Sequence, residues 1–452
     1  MRHVLLLSAL GWTQDTILID PRKRLRPYEL SRKREGWVLL GYPTAGYDAL
    51  RGIGAAIAAS IAYNGRRDEA PFSFQPYKYY FFGQIGFFQR ESRYFRFFGD
   101  FPWIGGKPYR LTFRFNYRDE SQGQFWGIGE KYIGRYIPIR SIHRYDKALQ
   151  NPFQDSTGEW RTNLAQHYFQ ITQWQSWLIG ERIEKRGLLR LMGGVRWVTE
   201  RHESLEGRLY RLRAPDGSLV TARQTLTFLD SAERQLLSSP PSVYFRPGVW
   251  LHRFFIGGAL VWDSRDFEIN PNSGWFLEIG HESLFPSWYT HKSHVSLRYY
   301  HILYKTPSEK FQLSGALHWV GCATYGRRIL FTDLYYYSRW SEGRSINLIT
   351  GPSTVRAFRE NRFAAPLVYL FQYELRSRVA EFRFLRQHFT GGPIVFVDLG
   401  TGSDNFALPI QKWLTGAGVG ARILWNMNFI LRADAAYGRE GWQIHFTTGH
   451  TF

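Results

Sequence analysis

The residues best placed to do chemistry in this chain are an arginine in a tight loop and two carboxylates on later segments. Gly351-Pro-Ser-Thr-Val-Arg-Ala-Phe358 sets Arg356 among turn-forming residues, and Arg359-Glu-Asn-Arg362 follows. An arginine in such a loop is ordinarily solvated. Downstream, the apolar row Leu367, Tyr369, Phe371, Tyr373, Leu375 turns Glu374 to the opposite face of a strand. Val395, Val397 and Leu399 do the same for Asp398. A carboxylate in a narrow interior is costly, and a guanidinium that reaches two of them offsets that cost. The spacing predicts a loop that folds back and docks Arg356 on Glu374 and Asp398. That is organisation, not bond-making. Bond-making would need other parts, and neither Gly-x-Ser-x-Gly nor His-Glu-x-x-His occurs. His281 and Ser283 share a strand face, but Glu282 points away from them. Cys322 is alone, so no disulfide framework or thiolate metal site is expected. The chain is read as a non-enzyme without cofactor or metal.

Elements that could position these groups are strands. Tyr109, Leu111, Phe113, Phe115 and Tyr117 face one way, and Arg110, Thr112, Arg114, Asn116 and Arg118 the other. Met427, Phe429, Leu431 and Ala433 alternate with Asn428, Arg432 and Asp434. Rows of rings on one face and arginines on the other suit lipid outside and a watery lumen inside. Trp442, Ile444 and Phe446 continue the pattern almost to Phe452, whose ring is expected at a membrane–water interface. Seventeen alternating segments can be drawn between 37 and 452, including 37–44, 52–63, 77–91, 94–101, 328–339 and 441–452. Bacterial barrels carry even numbers of strands, so sixteen are expected, with the surplus among the first four. The fold class is all-β: one transmembrane antiparallel barrel over 37–452, with long connections at 119–164, 203–248 and 340–365.

Bulk properties agree. No apolar run approaches the ~18 residues of a spanning helix, mean hydropathy is −0.35, and aromatic residues reach 17%, enough for two interfacial girdles. Net charge is +20. Its arginines are spread over strands, which favours anionic lipid headgroups and a positive lumen over nucleic acid. Residues 1–11 read as a short signal peptide, with a basic start, Val4 to Leu10 apolar, and Ala9-x-Gly11. Residues 12–36 read as a basic, solvated periplasmic leader.

With these motifs in place, the C-terminal half resembles the BamA/TamA superfamily of outer-membrane assembly and translocation barrels, also called bacterial surface antigens. Val355-Arg-Ala-Phe358 resembles that family's V-R-G-F/Y loop, which is tucked into a sixteen-stranded barrel. Tyr373-Glu-Leu-Arg376 and Phe396-Val-Asp-Leu-Gly400 resemble its glutamate and aspartate strands, and Gly416-Ala-Gly-Val-Gly-Ala-Arg422 the glycine-rich strand after them. Asp263-Ser-Arg265-Asp266 with Pro271 and Gly274 resembles its D-T-R-D hairpin. The ending Phe446-Thr-Thr-Gly449-His-Thr-Phe452 resembles its closing strand, read by the assembly machinery as a targeting signal.

The resemblance implies a Gram-negative-type outer membrane and a protein that inserts or exports clients through a seam between its first and last strands. Expected partners are outer-membrane lipid and lipopolysaccharide, the barrel assembly machinery and client proteins. Arg422 and Arg432 are expected to line the lumen. The alternative is a passive or anion-preferring channel that kept the fold alone. Two departures stand out. Ala357 replaces the family's glycine, which strains the loop tip if that position needs positive φ, and the 25 residues 12–36 are too few for the family's periplasmic POTRA modules, which are expected to be missing or supplied by another chain.

Overall fold

The computed structural model describes residues 19–48, 52–89, 91–129, 132–133, 135, 151–230, 242–385, 387–404 and 412–452. Residues 1–11, expected above to be a signal peptide, lie outside this set. The chain winds up and down as an antiparallel meander. Its strands are β1 (Trp37–Asp48), β2 (Gly52–Tyr63), β3 (Tyr79–Phe88), β4 (Ser92–Phe101), β5 (Tyr109–Gln124) and β6 (Tyr168–Glu184). Next come β7 (Leu189–Glu203), β8 (Leu251–Asp263), β9 (Gly274–Phe285), β10 (Thr290–Lys305) and β11 (Gln312–Gly326). The last five are β12 (Leu367–Arg378, resuming as Ala380–Phe384), β13 (Gln387–Ser403), β14 (Leu414–Trp425), β15 (Phe429–Gly438) and β16 (Gly441–Thr448). Every strand pairs with its sequence neighbours. Among the described residues the sheet has seventeen segments. Both parts of β12 pair with β13, so they act as one strand and leave sixteen.

Alternation follows from two different solvents. On β2, Ile53, Ile57 and Ile61 are exposed on the outer surface while Ala56, Ala58 and Ala62 are buried inside. The first four expected strands are all present. The surplus segment is 328–339, which does not join the barrel. It forms a short parallel pairing at Arg328–Leu330, a 3-10 turn at Phe331–Leu334 and one arm of a hairpin, Tyr336–Arg339 with Arg344–Asn347. The long connection therefore runs from 327 to 366, not from 340. Strand β5 likewise continues to Gln124, shortening the connection expected from 119.

The longest connections, 125–167, 204–250 and 327–366, share one end of the barrel, and those at the other end span no more than the fifteen residues 64–78. Short turns face the periplasm and long loops the exterior in such barrels, which sets the orientation. The segment before β1 straps across the periplasmic end. Asp20 N–H donates to Arg186 O at 2.9 Å and Leu25 N–H to Ser73 O at 2.8 Å. Lys23 Nζ donates to Asp263 O at 2.9 Å, and Arg32 meets Glu381 at 2.7 Å. Four different hairpins are thereby tied together.

This corrects the solvated leader expected from composition. Ile19, Leu25, Glu29 and Lys33 are buried. Lys33 Nζ donates to Phe72 O and Gln75 O at 2.7 and 2.5 Å and lies over the Phe72 ring. Burial pushes its ammonium down to about 7. Trypsin should therefore spare Lys23 and Lys33 while the barrel is folded, and Phe72→Ala should open Lys33 to cleavage, read by mass spectrometry of timed digests. Cleavage of the folded wild type at Lys33 as fast as in urea would defeat this assignment.

The chain end departs from expectation as well. Strand β16 stops at Thr448, and Gly449 at φ 76° turns the last residues inward. Phe452 is buried with Tyr300 and Ala316, stacked on His318 at 4.8 Å and under Arg376. It reaches no membrane–water interface. Ring packing explains the preference: the lumen offers Phe452 an aromatic partner and a cation. Phe452→Ala should cost about 3–5 kcal/mol of barrel stability, seen as a lower midpoint in heat-modifiability on gels.

Candidate functional site

Loop 327–366 fills part of the lumen, and its tip carries the arginine singled out above. Gly351 at φ 147° turns the chain back, and Val355 N–H donates to Ile349 O at 3.1 Å. Val355, Ala357 and Phe358 are fully buried against β12 to β15. The extra methyl of Ala357 is accommodated by the wall. A Cβ on Gly416 of β14 or Gly438 of β15 would sit 2.5 or 2.7 Å from Ala357 Cβ. Ala357 is not among the described residues with positive φ, so the expected strain is absent.

Arg356 is fully enclosed. Its Nε and Nη2 donate to both oxygens of Asp398 at 2.8 Å, a bidentate fork. Its Nη1 reaches Glu374 Oε1 at 2.7 Å, Asp434 Oδ2 at 3.2 Å and Thr451 Oγ1 at 3.2 Å. The guanidinium lies flat on the Phe396 ring, 3.4 Å from its centroid. Its own backbone is used too: Arg356 N–H donates to Asp398 at 3.1 Å, and Arg356 O contacts His445 Nε2 at 2.8 Å. Arg422 joins by pairing with Asp434 at 2.6 Å and Glu374 at 3.3 Å. Arg432 donates to Thr447, Thr451 and Pro352 O. Loop, five strands (β12 to β16) and chain terminus thus meet in one buried network.

Sequence reasoning missed three members. Asp434 lies on the inward face the alternation gave it, but nothing in the sequence tied it to Arg356. Arg376, which pairs with Glu374 at 2.8 Å, is an equally silent inward residue. Thr451 could not be found, because the last strand was expected to run on past it.

The other motif lies elsewhere. Asp263, Arg265, Asp266, Pro271 and Gly274 form the β8–β9 turn beneath the strap, at the periplasmic end. Arg265 pairs with Asp263 at 2.9 Å, and Lys23 of the strap joins them at 3.3 Å. Asp266 Oδ1 accepts the backbone N–H groups of Phe267, Asn272 and Ser273. Burial and the facing Glu29 push its carboxyl up to about 6. Gly274 at φ 108° leaves no space for a Cβ, which would meet Ser264 O at 2.3 Å. This motif therefore holds the turn and receives the strap.

The inward arginines are mostly spoken for. Arg110 pairs with Asp100 and Glu268, Arg190 with Glu181, and Arg298 with Glu342. His281 and Ser283 face outward near the exterior end. Their hydrogen bond is 2.8 Å, and Ser283 also meets His291 at 2.7 Å.

Between the first and last strands lies a seam. Among the described residues, β1 pairs only with β2 and β16 only with β15. Pro43 sits on β1, in keeping with an edge strand. The outward residues Trp442, Ile444 and Phe446 of β16 are all exposed. A cavity of about 1700 Å³ lies beside the loop and reaches this seam through Tyr42, Pro43 and residues 442–448.

No curated protein matches the sequence. Among solved structures, the chain is similar to BamA from Haemophilus ducreyi lacking POTRA domains 1–3, at 10% identity and a TM-score of 0.47, covering 92% of this chain and 70% of that one. It is also similar to CdiB from Acinetobacter baumannii (12% identity, TM-score 0.45, 92% and 60%) and CdiB from Escherichia coli (10%, 0.48, 91% and 62%). The chain thus spans less than two thirds of either CdiB. A domain of unknown function, DUF5982, matches residues 15–78, which include the strap and the first two strands. The Omp85 superfamily domain matches residues 50–452. A lumen-filled meander with that match over most of its length is an outer-membrane β-barrel of a Gram-negative-type bacterium, and the chain belongs to the Omp85 superfamily.

Proposed function

We propose that this barrel inserts or exports client polypeptides at the seam between β1 and β16. The observation that carries the reading is that, among the described residues, each of these strands is hydrogen-bonded on one side only. An unpaired edge is a template on which a client strand can form. The Arg356 network sits behind the last strands, ties the loop to them and sets the shape of the opening. Its role is positioning. Membership in a superfamily whose similar structures include BamA and CdiB agrees with assembly or secretion. A passive anion channel has less in its favour, since the strap crosses the periplasmic end and most of the inward arginines above are ion-paired.

Reconstitution into liposomes with an unfolded outer-membrane protein as client tests the reading. Folding of the client, followed by heat-modifiability, should be faster than in liposomes holding a fully closed barrel of similar size. Equal rates would remove the proposal.

A further inference from the structure

The cavity does not stop at the seam. It is lined by Gln443, His445 and Thr447 on the inward face of β16, and also by Trp442, Ile444 and Phe446 on its outward face. Its wall continues over Ile423 of β14 and Leu431 of β15, which pair across the strands, and Leu431 packs with Phe429 against Val38, Leu40 and Tyr42 of β1. The opening therefore wraps the last strand and joins a donor-rich interior to the apolar face of β14 to β16 that turns toward β1 to β4.

The two halves differ in chemistry. Inside, a row of hydrogen-bond donors crosses four strands in register. Gln84 of β3 faces Arg96 of β4, Arg96 faces Asn116 of β5, and Asn116 faces Gln175 of β6. All four line the cavity. Arg114 lies diagonally from Arg96 on the same face, a spacing of about 7–8 Å, and donates to Glu342 O at 3.2 Å. Among the described residues, neither Arg96 nor Arg114 has a carboxylate in ion-pair distance. Arg96 contacts the Tyr94 ring instead. This separates them from Arg110, Arg190 and Arg298, whose charges are matched. Two guanidinium groups without a carboxylate partner among the described residues, flanked by amides in this cavity, have the donors to hold an anion. Near the seam the inner wall is thin, with Gly54 and Ala56 of β2 lining the space.

We propose that this opening binds a phosphorylated glycolipid, with its phosphate on Arg96 and Arg114 and its acyl chains on the apolar face of β14 to β16. An amphiphile fits because one continuous site is donor-rich at one end and apolar at the other. Arg96 lies in the exterior half of β4, at the level of the outer leaflet. This inference goes beyond client handling and does not depend on it.

The test is equilibrium binding to the folded barrel in zwitterionic micelles, without any client present. Three probes are used: rough lipopolysaccharide with a phosphorylated core, the same lipid after phosphatase treatment, and the phosphorylated core sugar freed of its acyl chains. The phosphorylated lipid should bind, and Arg96→Gln should weaken it about tenfold, the share of one charge-assisted contact. Arg96 donates no hydrogen bond to the protein in the structure, so the variant should keep its heat-modifiability, and Arg96→Lys should recover part of the loss. A diazirine on the acyl chain should label peptides from β14 to β16. Equal binding by the phosphatase-treated lipid, equal binding by the free sugar, or labelling elsewhere on the barrel would each overturn the proposal. Because no client enters, a failure here leaves the client reading untouched, and failure of the client assay leaves this one.

Discussion

Arg356→Ala should lower barrel stability by about 3–5 kcal/mol, the cost of leaving a buried carboxylate without its partner. The carboxylate in question can be named. Glu374 keeps Arg376 and Arg422, and Asp434 keeps Arg422. Asp398 loses both forks of the guanidinium and is left with Gln372 Nε2 at 3.1 Å and a backbone N–H from the loop. A second change, Asp398→Asn, should therefore recover much of the loss in the Arg356→Ala background, whereas Glu374→Gln should recover little. Arg356→Lys should behave more like alanine than like wild type, because one ammonium cannot reproduce a bidentate fork and a flat stack on Phe396 together. Competing with this is apolar packing. Val355 and Phe358 are fully buried, and each contributes about 1.5–3 kcal/mol. The loop should thus stay in the lumen with a loosened tip. Heat-modifiability midpoints and protease sensitivity at Arg359 and Arg362 measure both effects. An Arg356→Ala protein with unchanged midpoint, or a double variant no better than the single one, would show that packing alone holds the loop.

Much of this network was legible because a barrel strand has two unlike surroundings, and parity assigns each residue to one of them. Glu374, Asp398, Arg422 and Arg432 were placed inward on that basis, and the structure puts all four around Arg356. Parity fails where both faces of a segment are enclosed. Residues 328–339 alternate, but one row holds Asp333 and Arg339 and the other Arg328 and Ser338. Neither row could face lipid, and that was the available sign that the segment belongs inside. For the strap the obstacle was different. Its basic composition reads as solvated, and the carbonyl groups that receive Lys23 and Lys33 lie on residues 263, 72 and 75, far along the chain. Phe452 misled for a related reason: an apolar terminal ring suits lipid or a lumen, and only the turn at Gly449 decides between them. Ala357 shows the reverse case, a departure from a motif whose compensation, Gly416 and Gly438, is present in the sequence but meaningful only once the strands are folded.

Tethering the seam should abolish client handling while making the barrel more stable. Leu39 and Phe446 are the positions of choice. Leu39 is the third residue of β1, and Phe446 lies two residues before the end of β16. Since β1 starts and β16 ends at the periplasmic end, the two sit at similar heights on the facing edges. Both are 68–69% exposed, so cysteine there removes no core packing, and Cys322→Ala supplies a clean background. Joined by a flexible bis-maleimide, the edges close a loop of some four hundred residues, for which chain entropy gives a stabilisation of about 6 kcal/mol. Heat-modifiability should therefore move to higher temperature. If a client strand must pair with β1 or leave past β16, the tethered barrel should accelerate client folding no more than lipid alone. A cleavable linker should restore the rate on reduction. Opposite signs for stability and activity would separate a seam that works by opening from a barrel that has merely been damaged. A tethered barrel that still handles clients at the untethered rate would place the route elsewhere, through the lumen past the strap, and would remove the seam from the mechanism.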